Sequence, residues 1–208
     1  MIPKSDISAL VLCGGQARRF EHIDKPLAVF YGPHGPLPMV DYMLASLPAE
    51  LPVMISANRN LEQYAQRARV LPDADTQLSQ DGPLVGIYAG LVACETPWLL
   101  VCPGDMPLLP GGWYEGLLTV EAAGQRPRVL HDGERLQSLL CLVPKTLAEH
   151  LGQFIRGGSK SVTAWHSHSH AVQVSVAEHS TGFANINSQT EMTALQQAAT
   201  YSPICDCT

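Results

Sequence analysis

The stretch Trp98-Leu99-Leu100-Val101-Cys102 is apolar at every position. Side chains along a strand alternate between the two faces of its sheet, so a run of this kind is stable only where both faces are covered. Ala9-Leu10-Val11-Leu12 has the same character, and short apolar runs recur at Pro52–Ser56, Val70-Leu71, Val129-Leu130, Ser138–Val143 and Ala171–Val176. Between them lie helix-like segments at Met39–Ser46, Asn60–Ala68, Gly86–Ala93, Trp113–Ala123, Lys145–Gln153, Ser161–His166 and Gln189–Ala199. Strands alternating with helices predict an α/β fold, a mostly parallel twisted sheet with helices on both faces. The proline and glycine clusters at Gly32–Pro38, Asp81–Pro83 and Leu109–Gly112 read as loops and not as a domain boundary. Residues 1–200 are therefore expected to form one domain, followed by a mobile tail over 201–208.

In open sheets of this type ligands sit beyond the carboxyl ends of the strands. That is where Gly14-Gly15, Ser56-Ala57-Asn58 and Gly104-Asp105 would all emerge. Paired glycines let the backbone approach a ligand closely, and the amides of the following turn can converge on phosphate oxygens. Arg18, Arg19 and Lys25 follow with compensating positive charge. The spacing is neither GxxxxGK[ST] nor GxGxxG, because the lysine stands too far from the glycines and no Ser or Thr follows it. A different phosphate-handling arrangement is required.

Composition narrows the function further. The 208 residues carry a net charge of −6, which argues against the extended basic face needed to wrap nucleic acid, so anion binding must be local. A hydrophobic fraction of 46% is enough for a substantial core, yet no run approaches the roughly 18 to 20 apolar residues of a membrane span. Cys13, Cys94, Cys102, Cys141, Cys205 and Cys207 form no paired framework, and the first four lie in apolar segments as small core residues. A protein of the reducing cytoplasm, without nucleic-acid or membrane partners, is expected.

The opening Leu12-Cys13-Gly14-Gly15-Gln16-Ala17-Arg18-Arg19-Phe20-Glu21-His22-Ile23-Asp24-Lys25-Pro26-Leu27 resembles the pattern LAGGxxxRMGGxDKxL of the molybdenum cofactor guanylyltransferases. Further matches follow in the same order: Ser56-Ala57-Asn58-Arg59, Asp73, Gly82–Ile87, Cys102–Pro107, His131–Arg135 and Phe183–Asn187. The likeness covers residues 8 to about 195. Glu21-His22 replace the family's paired glycines, and Gly104 replaces a usual cysteine.

The resemblance implies a Rossmann-like fold of the nucleotide-diphospho-sugar transferase type and transfer of GMP from GTP to molybdenum-molybdopterin, with Mg²⁺ as cofactor. It also implies transient contacts with other cofactor-synthesis proteins or acceptor molybdoenzymes. Carried onto this sequence, the nucleotide would be held by Leu12, Cys13, Gly14, Gly15, Lys25, Ser56, Asp73, Gly82, Gly86 and Asp105. Lys25, Arg19 and Asp105 would carry the chemistry, and Asp105 the metal. Lys160, Asn185 and Asn187 would meet the pterin.

Each residue also has a plainer use. Lys25 can be a surface cation, Asp105 a loop cap before Met106-Pro107, Asp73 the start of a turn, and Asn187 the cap of the helix that follows. An aspartate closing an apolar strand is nevertheless well placed to hold Mg²⁺, which takes one or two carboxylates plus waters and phosphate oxygens. Backbone groups around Gly82–Gly86 can read a purine, so the residues alone leave guanine, cytosine and other bases open, as they do a sugar phosphate acceptor or a binding protein without turnover. Two clusters are set aside. His166, His168 and His170 would line one face of a strand, read here as an exposed polar edge and not a zinc site, and Cys205-Asp206-Cys207 lies in the tail.

Overall fold

The computed structural model describes residues 1–14, 24–73, 78, 82–119, 124–176, 181–183, 185–186 and 188–201. Gly15, Arg19, Asn187 and the tail beyond residue 201 lie outside them, as do Glu21-His22. Strands form at β1 (Ile7–Leu12), β2 (Val29–Gly32), β3 (Gly35–Pro38), β4 (Val53–Ser56), β5 (Arg69–Leu71), β6 (Trp98–Pro103), β7 (Arg128–His131), β8 (Leu136–Pro144) and β9 (Val172–Ser175). The helices are α1 (Met39–Ala45), α2 (Leu61–Ala65), α3 (Pro83–Ala93), α4 (Glu115–Thr119), α5 (Ala148–Arg156), α6 (Val162–His168) and α7 (Gln189–Tyr201).

The main sheet runs β5-β4-β1-β6-β8-β7-β9. β1 pairs in parallel with β4 and β6, β4 with β5, and β7 with β9, whereas β8 is antiparallel to both β6 and β7. The central apolar runs, β1 and β6, are buried on both faces, as their composition requires. Ile7, Ala9 and Val11 of β1 join Leu100 and Cys102 on one side, packed with Met43, Tyr64 and Leu117 from α1, α2 and α4. Leu10 and Leu12 join Leu99 and Val101 on the other, beneath Ile87, Leu151 and Trp165 from α3, α5 and α6. All six residues of β1 and of β6 are buried. At about 25 cal/mol per Å² of apolar surface removed from water, this double burial is the main favourable term holding the sheet.

Two elements depart from the sequence reading. Gly32–Pro38, expected as loop, contains the turn and second strand of an antiparallel hairpin, β2 with β3. Phe30 on its inner face is fully buried against Met39 and Tyr42, and the Tyr42 hydroxyl accepts from Gly32 N at 3.0 Å and also donates to Gly35 O. The helix read at Ser161–His166 forms as α6, but His166 is not the exposed polar edge expected there. Ser161 caps α6 by accepting from Ala164 N at 3.1 Å, and Trp165 and His166 turn inward as neighbours on the buried side of that helix.

His166 is only 2% exposed, and its Nε2–H donates to Ser138 O at 2.8 Å. Its Nδ1 is buried without a hydrogen-bond partner among the described residues. Burial lowers the pKa of the ring, against a smaller opposing effect of the Ser138 carbonyl. With the folded pKa below the unfolded value, the unfolded chain binds the extra proton first as pH falls. Stability is then fully present above about pH 6.5 and declines below it by up to about 1.4 kcal/mol per pH unit until the folded ring titrates. Melting curves between pH 7.5 and 5.5 should show this decline in the native protein and a flatter profile in His166→Gln, which keeps a donor for Ser138 but cannot be protonated.

Candidate active site

Three strand ends open onto one cleft of about 610 Å³. β1 delivers Leu12, Cys13 and Gly14, β4 delivers Ser56 with Asn58 and Arg59 just beyond, and β6 delivers Pro103 and then Asp105. Cys13 N donates to Ser56 O at 2.8 Å and Gly104 N to Leu12 O at 2.9 Å, so the strand ladder continues past the ends of the strands and fixes the cleft floor. Gly82 and Pro83 close one wall at the start of α3, where the Gly82 φ of +123° is a conformation that side chains disfavour.

Lys25 opens a single 3-10 turn, Lys25–Leu27, in which Leu27 N donates to Asp24 O at 2.8 Å. From there its Nζ forms an ion pair with Asp105 Oδ2, both side chains being less than one-fifth exposed. The other Asp105 oxygen, Oδ1, is buried and meets no hydrogen-bond donor among the described residues. A buried carboxylate oxygen without a donor is costly unless something positive approaches it. A hard cation that draws its remaining ligands from phosphate and water fits that oxygen. No cluster of three or more His, Cys, Asp or Glu suited to a metal occurs among the described residues.

Asp73 is held by Asn58 through two contacts, Asn58 Nδ2 donating to its Oδ2 at 2.7 Å and Asp73 N donating to Asn58 Oδ1 at 2.8 Å. Asp24, only 5% exposed, accepts from Arg59 Nη2 at 2.9 Å and from Asn60 Nδ2 at 3.0 Å. A smaller concavity of about 210 Å³, lined by Arg135, Gln137 and Ser138, adjoins the cleft and shares Pro103, Leu139 and Asn185 with it. Ile186 N donates to Asp105 O at 3.2 Å, which ties the Asn185 segment to the ion pair.

The structure thus gathers Leu12, Cys13, Gly14, Lys25, Ser56, Asp73, Gly82, Asp105 and Asn185 around a common space. Gly86 stands behind the wall, where a Cβ would come within 2.5 Å of Ser56 Oγ and 2.9 Å of Leu12 Cδ2; its role in the fold is to let α3 approach the sheet. Lys160 is exposed between α5 and α6 and lines neither concavity. Gly15, Arg19 and Asn187 fall outside the described residues. Side chains that the sequence reading assigned no role, Asp24, Asn58, Arg59 and Leu139, also line the cleft. For Asn58 and Arg59 the signal was available in the Ser56–Arg59 motif.

Cys13 is a buried neutral thiol, because burial, reinforced by nearby Cys102, raises its pKa well above the ordinary range. Its sulfur occupies the space beside Gly104, where a Cβ would lie 2.8 Å from Cys13 Sγ and 3.1 Å from Pro26 Cβ. In the resembled pattern alanine stands at the first of these positions and cysteine at the second, so the bulk has moved from one wall to the other. Gly104→Ala should lower Tm by about 3–8 °C through overpacking. Adding Cys13→Ala should return at least half of that loss in thermal denaturation, the Pro26 contact accounting for the rest.

A cleft at the carboxyl ends of parallel strands, with a lysine and a carboxylate meeting over its floor, is the ligand site of an α/β protein. The chain belongs to the family described as MobA-like NTP transferase domain, which matches residues 9–172. A Ralstonia nicotianae relative, molybdenum cofactor guanylyltransferase, is 37% identical over 209 residues, covering 95% of this chain and 99% of its own. The Bordetella pertussis protein of the same name is 34% identical and covers 94% and 100%. Among solved structures, molybdopterin-guanine dinucleotide biosynthesis protein A from Archaeoglobus fulgidus superposes with a TM-score of 0.73 at 18% identity, over 94% of this chain and 100% of that one. CMP:2-keto-3-deoxy-manno-octonic acid synthetase complexed with CTP gives 0.68 at 10% identity, over 94% and 99%. These two likenesses establish the fold, the nucleotide-diphospho-sugar transferase type expected from the sequence.

Proposed function

We propose that the protein transfers GMP from GTP to molybdenum-molybdopterin, forming molybdopterin guanine dinucleotide and releasing pyrophosphate. The observation that carries this reading is the meeting of Lys25 and Asp105 inside one cleft, with an Asp105 oxygen left for a cation. The names of the full-length relatives supply the guanylyl donor and the cofactor acceptor.

The terminal phosphate of the pterin attacks the α-phosphorus of GTP. A new P–O bond forms as the bond to the β-phosphate oxygen breaks, and pyrophosphate leaves with the electron pair. The attacking phosphate is already ionised near neutral pH, so the reaction needs positioning and charge compensation and no strong base. Lys25 places an ammonium on the polyphosphate as its negative charge shifts toward the leaving group. Mg²⁺, held by Asp105 Oδ1, would neutralise phosphate oxygens and polarise the reacting phosphorus. The cleft walls at Gly82-Pro83 and at Asn58 with Asp73 take the nucleoside, and the Asn185 end with the smaller concavity takes the pterin.

Two measurements test the reading. With Mg²⁺ present, GTP should raise Tm more than CTP, UTP or ATP, and GTP with molybdenum-molybdopterin should release pyrophosphate. A larger shift with CTP, or nucleotide binding without pyrophosphate release, would overturn it.

A further inference from the structure

We propose that Arg59 is a substrate-contacting cation for the phosphate chain and that Asp24 is the positioning residue that aims it. The inference rests on the reading of the cleft as a polyphosphate site. Asp24 and Lys25 are consecutive, yet they face opposite walls. Lys25 reaches Asp105 beyond β6, whereas Asp24 reaches Arg59 and Asn60 beyond β4. The Asp24 carboxylate is almost fully buried, but the Arg59 side chain it engages is 53% exposed and lines the cleft. The buried partner fixes the guanidinium on the wall of the cleft.

The backbone supports the same assignment. Asn60 adopts a φ of +51°, uncommon for a residue with a side chain, and precedes α2 without capping it by its own amide. That amide instead donates to Asp24 Oδ2. The bend therefore presents the arginine and the asparagine to the same carboxylate. Among the described lining residues the carboxylates of Asp24, Asp73 and Asp105 outnumber the cations of Lys25 and Arg59. A polyanion entering such a cleft depends on each cation, and a planar guanidinium can donate two parallel hydrogen bonds to a phosphate. Because consecutive Cα atoms are only about 3.8 Å apart, one short stretch of backbone anchors a cation on each wall of the cleft, Lys25 directly and Arg59 through Asp24.

The test compares Arg59→Ala, Arg59→Lys, Asp24→Asn and the Asp24→Asn/Arg59→Ala pair in GTP kinetics and in the melting shift given by inorganic tripolyphosphate with Mg²⁺. Arg59→Ala should raise KM for GTP about 10- to 100-fold and shrink the tripolyphosphate shift, with kcat changed only about threefold. Arg59→Lys should recover part of the KM. Asp24→Asn should raise KM in the native background but add less than about twofold once Arg59 is gone, because positioning has nothing left to aim. Should Asp24→Asn fold poorly, Asn60→Gly, which retains the positive φ and removes the amide donor, is expected to shift KM in the same way. Additive effects of Asp24→Asn and Arg59→Ala would reduce Asp24 to a structural role. Arg59→Ala with native KM and a native tripolyphosphate shift would overturn the proposal while leaving the guanylyl transfer reading intact. A native protein that loses its tripolyphosphate shift on Arg59→Ala but turns over no GTP would do the reverse.

Discussion

Asp105→Ala is expected to lower kcat/KM for GTP-dependent pyrophosphate release by about 10³-fold or more. The reasoning starts from the two oxygens of this carboxylate. Oδ2 is engaged by Lys25 and Oδ1 is buried without a donor among the described residues, an arrangement that burial penalises unless a cation completes it. Removing the carboxylate removes the group that would anchor Mg²⁺ in the proposed chemistry, so the loss should fall mainly on kcat. Asp105→Asn keeps the shape and one acceptor but not the charge, and should lose nearly as much. Raising Mg²⁺ should recover part of the activity of Asp105→Asn but not of Lys25 variants. Native turnover in Asp105→Ala would remove this residue from the mechanism.

Much of the fold could be read from the sequence because the strands of a doubly covered sheet are apolar at consecutive positions, and all seven strands of the main sheet coincide with such runs to within two residues. Strand direction could not be read in this way. An apolar run carries no sign of whether its neighbour is parallel, and β8 inserts antiparallel between β6 and β7. The hairpin of β2 and β3 escaped because Gly32, Pro36 and Pro38, residues that elsewhere interrupt strands, are tolerated in a two-stranded ribbon with open edges. The burial of His166 escaped because its alternation with serines suggested an exposed polar edge, while Trp165 beside it and the Ser161 cap set the helix so that both residues lie on its inner side.

At the site, the gathering of Gly14, Gly82, Lys25 and Asp105 around one cleft was legible because each stands beyond a strand end or within a motif of the resembled pattern. Asp24 was not, since its partners lie 35 and 36 positions further along and meet it only through the bend at Asn60. Gly86 shows the converse. The motif containing it is real, but the glycine faces Ser56 and Leu12 and acts by bringing α3 close enough for Gly82 and Pro83 to form the wall.

Lys25→Met should be as damaging to turnover as loss of Asp105, by about 10³-fold, and should also abolish most of the GTP-induced melting shift. This side chain has two distinct effects that can be separated. In the free protein it balances a largely buried carboxylate, so its loss strands the Asp105 charge and should cost about 1–3 kcal/mol of stability, between the values for exposed and fully buried pairs. In the proposed reaction its ammonium instead meets the polyphosphate. Combining Lys25→Met with Asp105→Asn removes the stranded charge, so denaturant unfolding should show the double variant more stable than Lys25→Met alone while turnover stays lost. If the double variant were no more stable than Lys25→Met, the ion pair would contribute nothing to the fold. If Lys25→Met retained native turnover, charge compensation on the triphosphate would have to come from elsewhere in the cleft.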